Sequence, residues 1–187
     1  VSHNIRPNIH VDCDPRPHKA EMLNKPQRKT RYLLASCVHP DFMKKLKGYN
    51  VTLWHMLSTG AMEIFKYEPD AILTSGGGNV GLRAINLMYQ LGYRRFLIHG
   101  MDCSFRGDAQ HAGKHLGKRQ HPRRVKVGET WFDTASIQVA YARQFFDLCD
   151  KMQAHSMGQF QIGLHGDGML QAMAKEAMRI NKEEKVA

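Results

Sequence analysis

The run Ser75-Gly76-Gly77-Gly78-Asn79-Val80-Gly81 is the segment of this chain best suited to chemistry. Glycine allows positive φ and lets backbone approach a ligand closely. N–H groups left open at the start of a following helix then face an anion. Ser75, Gly76, Gly77, Gly78, Asn79 and Gly81 are therefore the candidate phosphate-binding residues for a nucleotide-type ligand. Gly76, Gly78 and Gly81 also satisfy G-x-G-x-x-G, and Asp102 lies about 20 residues further on, which is the formal dinucleotide fingerprint. Two observations weigh against NAD or FAD. Several elements precede these glycines, and Asp102 lies beyond a Gly-Met turn instead of at a strand tip. The segment is not a P-loop, because no Gly-Lys-Ser/Thr follows. Service as a tight turn with close packing is the alternative use of the same glycines.

Four further segments hold reactive side chains. Asp12 and Asp14, spaced i, i+2 at a strand end, can face one side and hold Mg²⁺ with water and substrate phosphates; a helix cap or a sugar contact would use the same carboxylates. Asp102 and Ser104 follow another strand and suit ribose or base contacts, with Asp102 as a turn former the alternative. A basic loop carries His111, His115 and His121. His111 and His115 would share a face if helical, and a histidine general base fits better than zinc, for which Cys or Glu ligands are missing nearby. His165-Gly166-Asp167-Gly168 is a tight turn that could add an amide or a carboxylate to a cleft, or only cap a helix. The candidate catalytic residues are His111, His115 and Asp102, and Ser104 joins the nucleotide-binding set.

The elements that must place these groups follow from periodicity. Apolar runs predict strands at Ile9–Cys13, Arg31–Cys37, Tyr49–Trp54, Ala71–Thr74, Phe96–His99 and Gln159–Leu164, with a short one at Glu129–Phe132. Helices are predicted at Pro40–Leu46 and Val80–Leu91, the latter closed by Gly92. A long helix capped by Thr134 runs to about Ala154, and a last one leads from Gly168 to about Ile180. Phe105–Lys126 has no useful periodicity and reads as a long His-rich basic loop, a lid or a disordered segment. Alternating strands and helices argue for an α/β domain with a mostly parallel sheet, whose ligands bind outside the carboxyl ends of its strands. Asp12 with Asp14, Gly76–Gly81, Asp102 with Ser104, and His165 with Asp167 each fall just after an apolar strand.

Composition bounds the partners. With 187 residues the chain is long enough for one domain with a sizeable core. No apolar run approaches the roughly 20 residues of a membrane span, so membrane insertion is not expected. Cys13, Cys37, Cys103 and Cys149 form no CxxC pair and read as buried free thiols, which favours a cytoplasmic setting. The net charge of +10 is concentrated: seven basic side chains stand between Arg106 and Lys126 against Asp108 alone. Such a patch suits an anionic partner, a nucleotide or nucleotide sugar before nucleic acid, because interleaved aromatics for base stacking are missing. A solvated basic loop is the alternative. A homo-oligomer is compatible with the sequence.

The run Gly76-Gly77-Gly78-Asn79-Val80-Gly81-Leu82-Arg83-Ala84, then Leu91-Gly92-Tyr93, then Gly100-Met101-Asp102-Cys103-Ser104-Phe105, resembles the MptE-like family. The segment Ile5-Arg6-Pro7 with Val11-Asp12-Cys13-Asp14-Pro15 is similar to that family's acidic strand end. The resemblance extends from about Ile5 to about Asp167. That family includes 6-hydroxymethylpterin diphosphokinases and glycosyltransferases of flagellin modification, and its core is similar to sialyltransferases that use CMP-sialic acid. The resemblance implies a Rossmann-like three-layer sandwich as a single domain over residues 1–187. The family's opening strand and Gly-x-Gly-Pro-Ser turn have no counterpart here, and the chain starts at Val1, so an N-terminally truncated sequence is expected.

The expected function is a nucleotide-dependent transferase, with glycosyl transfer from a nucleotide sugar leading and no tightly bound cofactor. Pyrophosphate transfer from ATP to a pterin, with Mg²⁺ on Asp12 and Asp14, is the second expectation. A non-catalytic nucleic-acid-binding module built on the basic loop is the third.

Overall fold

A computed structural model describes residues 5–107, 109 and 120–184. The chain divides into two compact units, Val1–Gly76 and Gly77–Ala187.

In the first unit, strand β1 (Ile9–Asp12), helix α1 (Pro17–Met22), β2 (Arg31–Ala35), α2 (Pro40–Lys45), β3 (Asn50–Met56) and β4 (Leu73–Thr74) follow in order, with a 3₁₀ turn at Ala61–Lys66. The four strands lie in the order β1-β2-β3-β4, all parallel. β2 is interior, and Tyr32, Leu33, Leu34 and Ala35 are all buried. A strand covered on both faces needs no polar alternation, which is why its sequence is a continuous apolar run. Both short helices begin with proline, whose missing N–H costs nothing at a first helical position. The Nδ1 of His39 accepts from the Asp41 N–H at 3.3 Å and caps α2.

The second unit holds α3 (Val80–Gln90), β5 (Arg95–His99), β6 (Arg123–Val127), β7 (Thr130–Thr134), α4 (Ser136–His155), β8 (Gln161–His165) and α5 (Met169–Glu184). β5 and β8 are parallel neighbours, from Arg95 opposite Gln161 to His99 opposite His165. β6 and β7 form an antiparallel hairpin. Leu82 and Ile85 of α3, Ala142 and Phe145 of α4, and Met169 and Leu170 of α5 make the buried centre, against which Phe96, Ile98, Ile162 and Leu164 of the strands pack. The Asn79 side chain accepts from the Leu82 N–H at 2.9 Å and starts α3, and Gly92 ends it at φ +98°.

Strand–helix alternation on parallel ladders makes this an α/β, Rossmann-like fold, as the sequence predicts. Three local expectations are corrected. The end of the loop expected over Phe105–Lys126 belongs to strand β6, whose Arg-Arg-Val-Lys-Val pattern alternates only weakly because the cationic Arg123 shares a face with Val125 and Val127. Thr134 does not cap the long helix. It ends β7, its hydroxyl donates to the Cys103 carbonyl at 2.8 Å, and Ala135 takes the cap position. Of the four thiols, Cys13 and Cys103 are buried and Cys149 is half-buried, but Cys37 is exposed; none of the four is in a disulfide. Among the described residues, no helix is long and apolar enough to cross a membrane.

Candidate functional site

Ser75 and Gly76 close the first unit, and Gly77, Gly78, Asn79 and Gly81 open the second. Gly77 sits at φ +94°, and a Cβ there would stand 2.7 Å from Leu82 Cδ1, so both conformation and space demand glycine. The Gly78 N–H donates to Gln144 Oε1 at 2.8 Å. One donor of the turn is thus already engaged by α4, and an incoming phosphate would compete with an amide oxygen for it. The N–H groups of Val80 and Gly81 find no acceptor among the described residues. They lie at the positive end of an 11-residue helix with no acidic residue in its first turn.

Gly81 also faces the next motif, since a Cβ on it would meet the Met101 side chain at 2.5 Å. From there the chain enters Asp102 and Ser104, which the fold joins to the Gly166-Asp167-Gly168 turn. Ser104 Oγ accepts from the Met169 N–H at 3.0 Å and so caps α5. The Asp102 carbonyl accepts from the Leu170 N–H at 3.0 Å, and Asp102 Oδ1 accepts from Gln171 Nε2 at 3.3 Å. Gly168 passes so near Asp102 that an added Cβ would lie 2.4 Å from the aspartate's Cβ and 2.7 Å from its Cα. Two motifs about 65 residues apart in sequence are one structural joint, which the spacing rules for local motifs do not reveal.

β5 and β8 both end in a histidine followed by glycine, and their register sets the tilted rings of His99 and His165 with centroids 4.7 Å apart. This pair at the carboxyl ends of two parallel strands was not anticipated as a pair. The repeated ending, Phe-Leu-Ile-His-Gly and Ile-Gly-Leu-His-Gly, is the sequence signal that could have found it. Beside it Arg106 Nη2 reaches Asp167 Oδ1 at 2.7 Å, an exposed ion pair.

Asp12 and Asp14 stand at the carboxyl end of β1 in the first unit. The Arg16 guanidinium forks onto Asp14, Nε to Oδ1 at 2.8 Å and Nη2 to Oδ2 at 2.5 Å, with Lys19 Nζ 4.0 Å away. That hydrogen bonding holds the Asp14 carboxyl below the usual range. Asp12 Oδ1 accepts the Asp14 N–H at 2.8 Å, yet burial pushes the Asp12 carboxyl up. Burial also pushes His10 down, and its Nε2 lies 4.0 Å from Asp12 Oδ2. Both oxygens of Asp14 are therefore in use, and a metal here would have to displace Arg16. Among the described residues, no group of three or more His, Cys, Asp and Glu side chains is placed to hold a metal ion. His111 and His115 lie outside the described residues.

A family model described as 6-hydroxymethylpterin diphosphokinase MptE-like matches residues 1–108. The chain belongs to the MptE-like family. The matched segment runs through the acidic strand end and the glycine turn and ends just past the Gly100–Phe105 motif; the hairpin, α4, β8 and α5 lie beyond it. Membership in the MptE-like family points to a transferase or kinase-type role. No curated protein and no solved structure matches the chain.

Proposed function

We propose that this member of the MptE-like family is a nucleotide-dependent transferase that moves a glycosyl group, of sialyl or nonulosonate type, from a nucleotide sugar. The observation that carries the reading is the glycine turn at the start of α3, where the N–H groups of Val80 and Gly81 have no acceptor among the described residues and lie at the positive end of the helix. In this reading Ser75–Gly81 takes the phosphate and Ser104 borders the nucleoside. Asp102, His111 and His115 supply the acid–base groups. The engagement of Asp14 by Arg16 and Lys19 favours chemistry that needs no Mg²⁺. Cationic side chains, not a metal, would then offset the charge developing on the leaving phosphate.

The family description favours a second reading, pyrophosphate transfer from ATP to a 6-hydroxymethyl-dihydropterin. Asp12 and Asp14 would then hold Mg²⁺ once Arg16 had turned away. A thermal-shift series with CMP, UDP, GDP, ATP and pterins, each with Mg²⁺ and with EDTA, separates the two. Stabilisation by a pyrimidine nucleotide that survives EDTA supports glycosyl transfer, whereas stabilisation by ATP that EDTA abolishes supports the diphosphokinase. No shift with any nucleotide removes both.

A further inference from the structure

The hairpin and α4 of the second unit enclose a groove of about 480 Å³, lined by Arg123, Val125, Ser136, Val139, Ala140, Arg143 and Gln144. That volume is within the range of small-ligand sites. Its polar side is cationic. In the hairpin, Arg123 stands opposite Thr134 and Val125 opposite Phe132, so Arg123 shares the inward face with Val125 and Val127. Its neighbour Arg124 lies on the other face, where Asp133 is 3.7 Å away and the Trp131 ring lies 5.1 Å below the guanidinium. Arg123 has no such carboxylate among the described residues; its Nη1 donates to Ser136 Oγ at 3.1 Å. Arg143, two turns along α4, has no hydrogen-bond or ion-pair partner among the described residues. Two guanidinium groups without a carboxylate partner among the described residues therefore border one concave surface whose apolar lining is Val125, Val139 and Ala140.

Gln144 closes the groove on one side, and its Oε1 accepts the Gly78 N–H. One side chain, Gln144, thus both lines the groove and hydrogen-bonds the glycine turn. We propose that this groove is a phosphoryl-binding subsite, in which Arg123 and Arg143 grip a phosphate group of the ligand whose neighbouring phosphate or nucleoside lies at the glycine turn. Guanidinium forks match phosphate oxygens in pairs, which an ammonium cannot do. The assignment rests on the transferase reading for the nucleotide, but the anion site stands on its own lining. It deepens that reading by giving the second unit the charge-neutralising groups that a metal-free transfer requires.

Calorimetric titration of the full chain with inorganic pyrophosphate, and separately with CMP, tests it. Arg123→Gln and Arg143→Gln should each weaken pyrophosphate binding by about tenfold, the loss expected for one charge-assisted bidentate contact. Arg124→Gln, one residue away on the opposite face, should leave the affinity unchanged. Should either groove variant melt well below the parent, Arg123→Lys or Arg143→Lys replaces it and should lose affinity while keeping the charge. If pyrophosphate fails to bind the parent chain, or Arg124→Gln weakens it as much as the groove variants do, the subsite is overturned. Nucleotide binding that persists unchanged in both groove variants overturns the subsite while sparing the transferase reading. Pyrophosphate binding lost in the groove variants, with no nucleotide bound by the parent, keeps the subsite and removes that reading.

Discussion

Asp12 and Asp14 are two residues apart and oppositely tuned. Burial raises the Asp12 carboxyl above its ordinary range, so its ionised form costs stability at neutral pH. That cost is relieved as pH falls through the raised value. Arg16 lowers Asp14, so its contribution is present above the unfolded carboxylate range and is lost as pH falls through the depressed value. Asp12→Asn should therefore raise the melting midpoint at pH 7 by about 1–2 °C, a gain of roughly 0.5 kcal/mol in a chain of this size. Asp14→Asn should lower it by a similar amount, since the pair with Arg16 is partly exposed. Melts between pH 7 and pH 3 should show both differences shrinking toward acid. A half-buried carboxylate held at a cost to stability marks Asp12, more than Asp14, as the residue to test for function. The thiols give a second residue-level expectation. Burial pushes Cys103 up to about 11 and Cys149 to about 12, whereas Cys37 is exposed. Alkylation by iodoacetamide at pH 8 should modify Cys37 first and leave Cys103 and Cys149 unmodified until the chain unfolds, as peptide mass mapping would show.

At the scale of elements, the joint between the Gly100–Phe105 segment and the start of α5 is the best-defined feature of the second unit. Ser104→Ala removes the oxygen that accepts the Met169 N–H and should cost about 1 kcal/mol, an ordinary capping loss. Gly168→Ala should cost more, about 2–3 kcal/mol, because the added methyl would meet Asp102 backbone that cannot step aside. Urea unfolding of both variants checks the order; a Gly168→Ala chain as stable as the parent would show that the joint is loose. These elements also mark what was legible in the sequence. Strands β1, β2, β3 and β5 and helices α2 and α3 were readable because each carries an apolar run or stripe, bounded in all but β2 by proline, glycine or asparagine. β6 was not, since three of its five residues are cationic and its partner strand lies across a turn. Helix α1 was missed because its six residues bury Ala20 alone and carry no apolar stripe. The glycine turn was legible as a strand-to-helix turn, but its engagement by Gln144 was not, because that contact joins residues 66 positions apart.

For the molecule as a whole, charge and division into units set the terms of a ligand test. The chain carries a net charge of +10, so weak attraction of any polyanion is expected at low salt and carries little information. Location is informative where affinity is not. Hydrogen exchange followed by peptide mass analysis, at about 150 mM salt where long-range attraction is screened, reads location directly. Under the glycosyltransferase reading, a bound pyrimidine nucleotide should slow exchange at Gly77–Leu82 and in the segments that line the groove, Arg123–Val127 and Ser136–Gln144, with or without EDTA. Under the diphosphokinase reading, ATP should slow exchange at Ile9–Arg16 only when Mg²⁺ is present, because Asp12 and Asp14 contribute through the metal. Diffuse slowing that follows the basic residues and vanishes with salt would match neither reading. It would be the signature of a polyanion held by net charge, and would return the third expectation, a nucleic-acid-binding module, to the front.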